Sequence, residues 1–294
     1  MKSRLMSIAV IVGILLLFTG VGFCQDKVSI SGWVDKVGQG SVNWSAGYIE
    51  AVGIGAPADK SVGKINARPM ALRAATVVAQ RNLLEITKGI QIDSATTIRD
   101  FMVESDVINT QVSGMVKGAV VMDQQYMSDG TVEVRLRMPL YGNLAQIIMP
   151  LAMAKSPVAP APSAPEAPAP AVTAPAAPVA AVAYTGMVVD ARGIQARPAM
   201  SPRVFDEDGK EVYGSANVDR EYAVQQGMSG YARDLNAAQS NQRVTVNPIT
   251  VKALKTSGPG KSDLIISNAD AQQIRASAEN MTFMKKCRVM VVLD

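Results

Sequence analysis

Nothing constrains this chain more than residues 156–183, a run built almost wholly from Ala, Pro and Val. Proline recurs there every two to five residues, from Pro157 through Pro178. Each ring removes a helix N–H and pins φ, so the run is expected as a solvated polyproline II strut and not as part of a core. At about 3.1 Å per residue it would reach up to roughly 85 Å. The expected organisation is a leader over residues 1–24, a first folded body over 25–155, a disordered Ala/Pro-rich linker over 156–183 and a second folded body over 184–294.

The leader carries Lys2 and Arg4, then an apolar run over residues 8–18, then Thr19, Gly20 and Gly22. This is the pattern of a secretory signal peptide, with an apolar core shorter than the about 20 residues a membrane span needs. Cys24 stands where a lipoprotein cysteine would, but Phe23 precedes it instead of a small residue. Cleavage after Cys24, with Gly22 at the −3 position, fits the small-residue rule better than lipidation does. The expected location is periplasmic or outer-membrane associated, reached through a cleaved signal peptide. The mature chain then keeps one thiol, Cys287, between Lys286 and Arg288. It has no internal disulfide partner, so packing must hold the fold. The flanking cations would lower its pKa if it were exposed; a buried strand cysteine acting as a small hydrophobe is the expected reading.

Composition narrows function. There are 29 Lys and Arg against 25 Asp and Glu, and 5% of residues are aromatic. A nucleic-acid binder would concentrate cations beside stacking rings, and that class is set aside. Histidine is absent, which removes the commonest general base, the usual zinc ligand and every Ser/His or Cys/His pair. No acidic pair stands out for a carboxylate-only mechanism. No catalytic, cofactor-binding or metal residue is assigned, and the expected protein is not an enzyme and needs no cofactor.

In the first body, residues 48–55 alternate partly and end in glycines, as a strand leaving into a loop would. From 65 to 88 there is no glycine, and Leu72, Ala75, Ala79, Leu83 and Ile86 recur at helical spacing. Pro69 suits a first turn and Gly89 a left-handed cap. Ala71, Ala74, Ala75 and Ala79 would let this helix approach a sheet closely. Residues 119–127 and 131–138, joined by Ser128-Asp129-Gly130, read as a hairpin with Val132, Val134 and Leu136 facing the helix. Residues 93–117 are ambiguous: Ile98, Phe101, Met102 and Val103 could begin a strand or a helix, and residues 107–116 a second short helix.

These residues carry a resemblance. The Ala-rich helix running into Arg81-Asn82-Leu83-Leu84-Glu85, then Gly89-Ile90-Gln91-Ile92, Gly118-Ala119-Val120-Val121 and Asp129-Gly130-Thr131-Val132-Glu133-Val134, resembles the LPP-twenty lipoprotein family and the similar N-terminal domain of the flagellar assembly protein T. It covers the first body only. The resemblance implies a compact α/β body displayed outside the inner membrane, in one branch as part of a ring around the flagellar basal body. This chain differs in Phe23 before Cys24 and in its Pro-rich run.

In the second body Met187-Val188-Val189-Asp190, Pro202-Arg203-Val204-Phe205, Val244-Thr245-Val246, Ile249-Thr250-Val251, Leu264-Ile265-Ile266 and residues 289–293 read as short strands. Residues 271–280 read as a helix capped by Asn268, with Asp270 near its positive end. The fold class expected for the whole is α+β, two small bodies each with a mainly antiparallel sheet and helices on one face.

Three local patterns have a functional and a plain reading. Asp206-Glu207-Asp208-Gly209 begins as calcium loops do, yet Asn217 and Val218 stand where a bidentate Glu is needed, so a surface turn is expected. Gly53-Ile54-Gly55 lacks the third glycine and the adjoining helix of a phosphate loop. Lys285, Lys286 and Arg288 could meet an anionic surface but read better as a solvated strand flank. The expected function is an exported, non-enzymatic structural or interaction protein of the bacterial cell envelope, linked to flagellar or outer-membrane assembly. Its partners would be envelope proteins or the cell wall, with outer-membrane association and oligomers both compatible. A periplasmic solute- or lipid-binding module is the alternative.

Overall fold

The computed structural model describes residues 32–155, 183–276 and 278–294. The expected leader, Cys24 and all of the Pro-rich run except Ala183 lie outside the described residues. The α+β class is the one observed, with two sheets and eight α-helices among the described residues.

The first sheet is antiparallel throughout: β1 (Val34–Val37), β2 (Gly40–Asn43), β3 (Tyr48–Gly55), β5 (Val132–Pro139) and β4 (Val120–Tyr126), in that spatial order. Helix α1 (Ala67–Lys88) lies across β3 and β5, with Ala71, Ala75, Ala79 and Leu83 wholly buried. Gly53 and Gly55 are the last residues of β3 to face it; a methyl on Gly53 would overlap the helix backbone at Ala75 and Ala79, and one on Gly55 the backbone at Ala71 and Ala75. These glycines are the seat of the helix, which is why β3 carries them without a turn. Gly89 follows α1 as expected but keeps ordinary right-handed geometry at φ −80°, so a left-handed cap is not used. The hairpin turn does use one, with Gly130 at φ +87°.

Residues 93–117 resolve into two helices, α2 (Ile98–Glu104) and α3 (Asp106–Lys117). Thr97 and Asp100 form a reciprocal capping box on α2, and Ser105 ends α2 while capping α3. Helix α4 (Asn143–Lys155) follows β5 despite the internal Pro150. Its Leu144, Ala145, Ile148 and Met149 are buried, and that apolar face offsets the hydrogen bond that the ring removes.

The second sheet differs from the antiparallel one expected. Its order is β8 (Glu211–Tyr213), β7 (Val204–Phe205), β11 (Asp263–Ile266), β10 (Pro248–Ser257), β6 (Gly186–Asp190), β12 (Val289–Val292) and β9 (Gly230–Ala232). Pairings β7–β11, β10–β6, β6–β12 and β12–β9 are parallel; only β10–β11 and β7–β8 are antiparallel. The physical reason is visible in β6 and β12. Met187, Val188, Val189 and Val289 to Val292 are apolar without alternation and buried on both faces, as central parallel strands are. Helices α5 (Arg220–Gln226), α6 (Leu235–Gln239), α7 (Asn268–Arg275) and α8 (Ala278–Lys285) connect these strands. Residues 244–246 are not a strand: Thr245 sits at φ +62°, with Val244 buried and Val246 outside. The cap of α7 is Ser267, whose Oγ accepts from the Asp270 N–H at 3.1 Å, and not Asn268.

The two halves are not held apart. The described residues of both halves make one compact unit, and a single apolar cluster runs from Val42 and Ile49 in the first half to Val291 and Leu293 in the second. The loop between α1 and α2 enters the second half as a backbone partner. Met200 N–H donates to Gln91 O at 3.0 Å, Ser201 N–H to Ile92 O at 2.7 Å and Gly260 N–H to Ser94 O at 2.6 Å. The expectation of two separated bodies fails because this loop carries apolar and polar groups that only the other half satisfies.

Candidate functional site at the junction

Two polar assemblies meet where the halves join. In the first, Asp263 and Ser94 are about 97% buried. The Asp263 carboxylate accepts from Ser94 Oγ at 2.6 Å and from Arg203 Nη2 at 2.6 Å, with the Arg203 backbone N–H at 3.3 Å. A buried carboxylate needs such a set of donors, and three come from both sides of the junction. Glu211 is close enough to feel both charges; burial pushes its carboxyl up while Arg203 draws it down. The arrangement clamps loop 89–97 to β7 and β11, and Ser94 meets a carboxylate already bound to a guanidinium.

The second assembly surrounds Arg243, on the loop between α6 and β10. Its Nη1 donates to Gly227 O at 3.1 Å and to Cys287 O at 2.8 Å, and its Nη2 donates to Gln226 O. Those carbonyls lie at the C-terminal ends of α5 and α8, where orphan acceptors and the negative end of the helix dipole favour a cation. Around it stand Tyr141, from the first half, and Tyr213, Tyr231 and Cys287. Burial raises the phenol of Tyr141 to about 12, with Arg243 drawing it down. Tyr231 donates to Ala199 O at 2.6 Å and Tyr213 to Met228 O at 2.6 Å, so both phenols are fixed as neutral donors. Trp44 stacks edge-on to Tyr231 at 5.5 Å between ring centres, and its Nε1 has no hydrogen-bond partner though the residue is 3% exposed.

Between these groups lies a cleft of about 240 Å³, walled by Trp44, Gly47, Tyr141, Gly230, Tyr231, Arg243 and Met290. Trp44 also walls a smaller cavity of about 90 Å³ with Asp35, Gln91 and Arg197. Burial pushes Asp35 up there, against the pull of Arg197. None of these positions was legible in sequence, because each group comes from a different element.

The residues weighed in the sequence fall elsewhere. Asp206 is buried and pairs with Arg275 at 2.8 Å, while its other oxygen accepts from Lys210 N–H at 2.8 Å. Glu207 accepts from Asn268 N–H at 3.1 Å, and Asp208 accepts from the Asn268 amide at 3.2 Å. The acids lie in the turn of the β7–β8 hairpin, as the plain reading expected, and beyond it they tie that turn to α7, with Asp206 buried and not at the surface. No group of three or more potential metal-binding side chains occurs among the described residues. Burial raises the Asp206 carboxyl, but the Arg275 guanidinium and the Lys210 N–H outweigh it and hold the group below 3.8. A carboxyl depressed in the fold adds stability that is complete above its unfolded value and is lost as pH falls through the depressed one. Asp206→Asn is therefore expected to flatten the loss of stability below about pH 4, read from urea midpoints between pH 2 and pH 6.

Gly53 and Gly55 serve the helix contact already described. Lys285 is exposed, while Lys286 and Arg288 are half-buried; the Lys285 and Lys286 carbonyls accept from Asp219 N–H at 3.0 Å and Gln226 Nε2 at 2.9 Å. Cys287 is fully buried but stands before β12 in a left-handed conformation at φ +53°, not in the strand. Burial pushes its thiol up to about 11, with Tyr213 and Arg243 drawing it down. In a form of the protein that begins at Gln25, the native state is expected to leave an aromatic disulfide reagent unconsumed at pH 8 and to react at one thiol per chain once unfolded in urea. Rapid reaction of the native form would place the thiol outside the core.

No curated protein matches the chain. A family model does match its second half: residues 186–294 are similar to the second domain of Treponema pallidum Tp0624.

Proposed function

We propose that this is an exported, non-enzymatic structural or interaction protein of the bacterial cell envelope, linked to flagellar or outer-membrane assembly. The leader pattern and the resemblance of the first half to envelope proteins support export. The observation that carries the interaction reading is strand β4, the outer edge of the first sheet. All seven of its residues are exposed, including Val120, Val121, Met122 and Tyr126. At the other edge, Gly32 just before β1 bridges to Ala232 of β9. The free edge therefore offers unpaired backbone groups and apolar side chains to an extended segment of a partner protein. Asp123 at its centre would face its own copy in a centred self-pairing, which disfavours a second copy as the occupant.

A photoreactive residue in place of Val121 in the full chain is expected to give one discrete adduct with an envelope protein, weakened by Tyr126→Asp. No adduct, together with mature protein found free of the envelope, sinks the reading. Export is checked by the mass of the mature N-terminus, expected to begin at Gln25. A second reading, a solute-binding module, is favoured by the cleft at Arg243. It predicts a small molecule that stays with the full chain in native mass spectrometry.

A further inference from the structure

Arg243 has donors to spare. A guanidinium carries five N–H groups, and three protein carbonyls accept from it here. Among the described residues its Nε and one Nη2 hydrogen have no protein acceptor and no carboxylate pairs with it. The space above Nε is kept by Gly230: a Cβ there would stand 3.2 Å from Nε and would overlap Met290 Sδ. Tyr141, which carries a hydroxyl, walls the same cleft, as does the ring of Trp44, whose own indole N–H is buried and unpartnered. A site rich in donors, holding a cation without a counter-ion, is complementary to an anion. The planar fork of arginine matches a carboxylate in two-point contact. The remaining wall is apolar and aromatic, and about 240 Å³ is below the range for drug-sized ligands, so one compact apolar group accompanies the charge.

We propose that the junction cleft binds a carboxylate, held by the spare N–H groups of Arg243 with Tyr141 Oη as a further donor, its apolar group lying among Trp44, Tyr231 and Met290. This rests on the solute-binding reading and gives it a ligand class. The carboxylate belongs to a free small acid or to the C-terminus of a peptide.

The test titrates the full chain by calorimetry with four probes. These are 3-phenylpropanoate, its primary amide, acetyl-Ala-Ala-Phe with a free carboxylate, and the same peptide as its amide. At least one acid is expected to bind at least tenfold more tightly than its amide. Binding of the phenylpropanoate alone identifies a free acid, and binding of the peptide alone a chain terminus. Arg243 also clamps three carbonyls, so variants that spare the clamp carry the test: Gly230→Ala, which fills the space over Nε, and Tyr141→Phe, which removes the hydroxyl and keeps a ring. Each is expected to weaken the acid at least tenfold; Tyr141→Phe retains the unfolding midpoint of the free protein, and Gly230→Ala, which must displace Met290 Sδ, lowers it without unfolding the chain. Equal binding of acid and amide, or unchanged affinity in both variants, overturns the proposal. If amides bind and acids do not, the carboxylate assignment fails while the solute-binding reading stands. If no probe binds and native mass spectrometry finds no retained molecule, both fail.

Discussion

Asp263→Ala is expected to lower stability by about 3–5 kcal/mol, read as a lower urea midpoint of the whole chain with little change of slope. The substitution leaves the Arg203 guanidinium, about four-fifths buried, without its counter-ion, and leaves Ser94 Oγ without its acceptor. The size of the loss comes from the stranded charge more than from the attraction removed. Arg203→Met combined with Asp263→Leu should therefore recover much of it, since replacing both partners by apolar groups is often close to neutral. A loss below about 1 kcal/mol for Asp263→Ala would mean that the clamp contributes no more than a surface pair.

Ala79→Arg is expected to be at least as damaging, about 4 kcal/mol or more, measured by thermal unfolding against the parent protein. Ala79 has no exposed surface, and its backbone lies against Gly53 so closely that a methyl on the glycine would overlap it. Overpacking alone costs about 1–3 kcal/mol, and the guanidinium adds an unpaired buried charge. Gly53→Val attacks the seam from the sheet side and should separate helix from sheet without adding charge. A stable, soluble Ala79→Arg protein would show that α1 can slide or rotate off the sheet.

The legible parts of the fold were those whose signal is local and periodic. Ala75, Ala79, Leu83 and Ile86 on one stripe announced α1, and Val132, Val134 and Leu136 alternating with charge announced β5. Helix α4 was hidden because Pro150 reads as a breaker, and only burial of Ile148 and Met149 against the rest of the core overrides it. The second sheet's parallel pairing was hidden because a short apolar run such as Met187-Val188-Val189 does not state which neighbour it meets. The site was the least legible of all. Trp44, Tyr141, Gly230 and Arg243 lie on four separate elements, and Arg243 in sequence is one cation in a polar loop.

The shared core makes the two halves one thermodynamic unit. With loop 89–97 docked directly on the second half, either half cut out alone would leave apolar surface uncovered and backbone donors unmatched. Heating the chain is therefore expected to melt both sheets in a single cooperative transition, with no plateau at which one half survives the other.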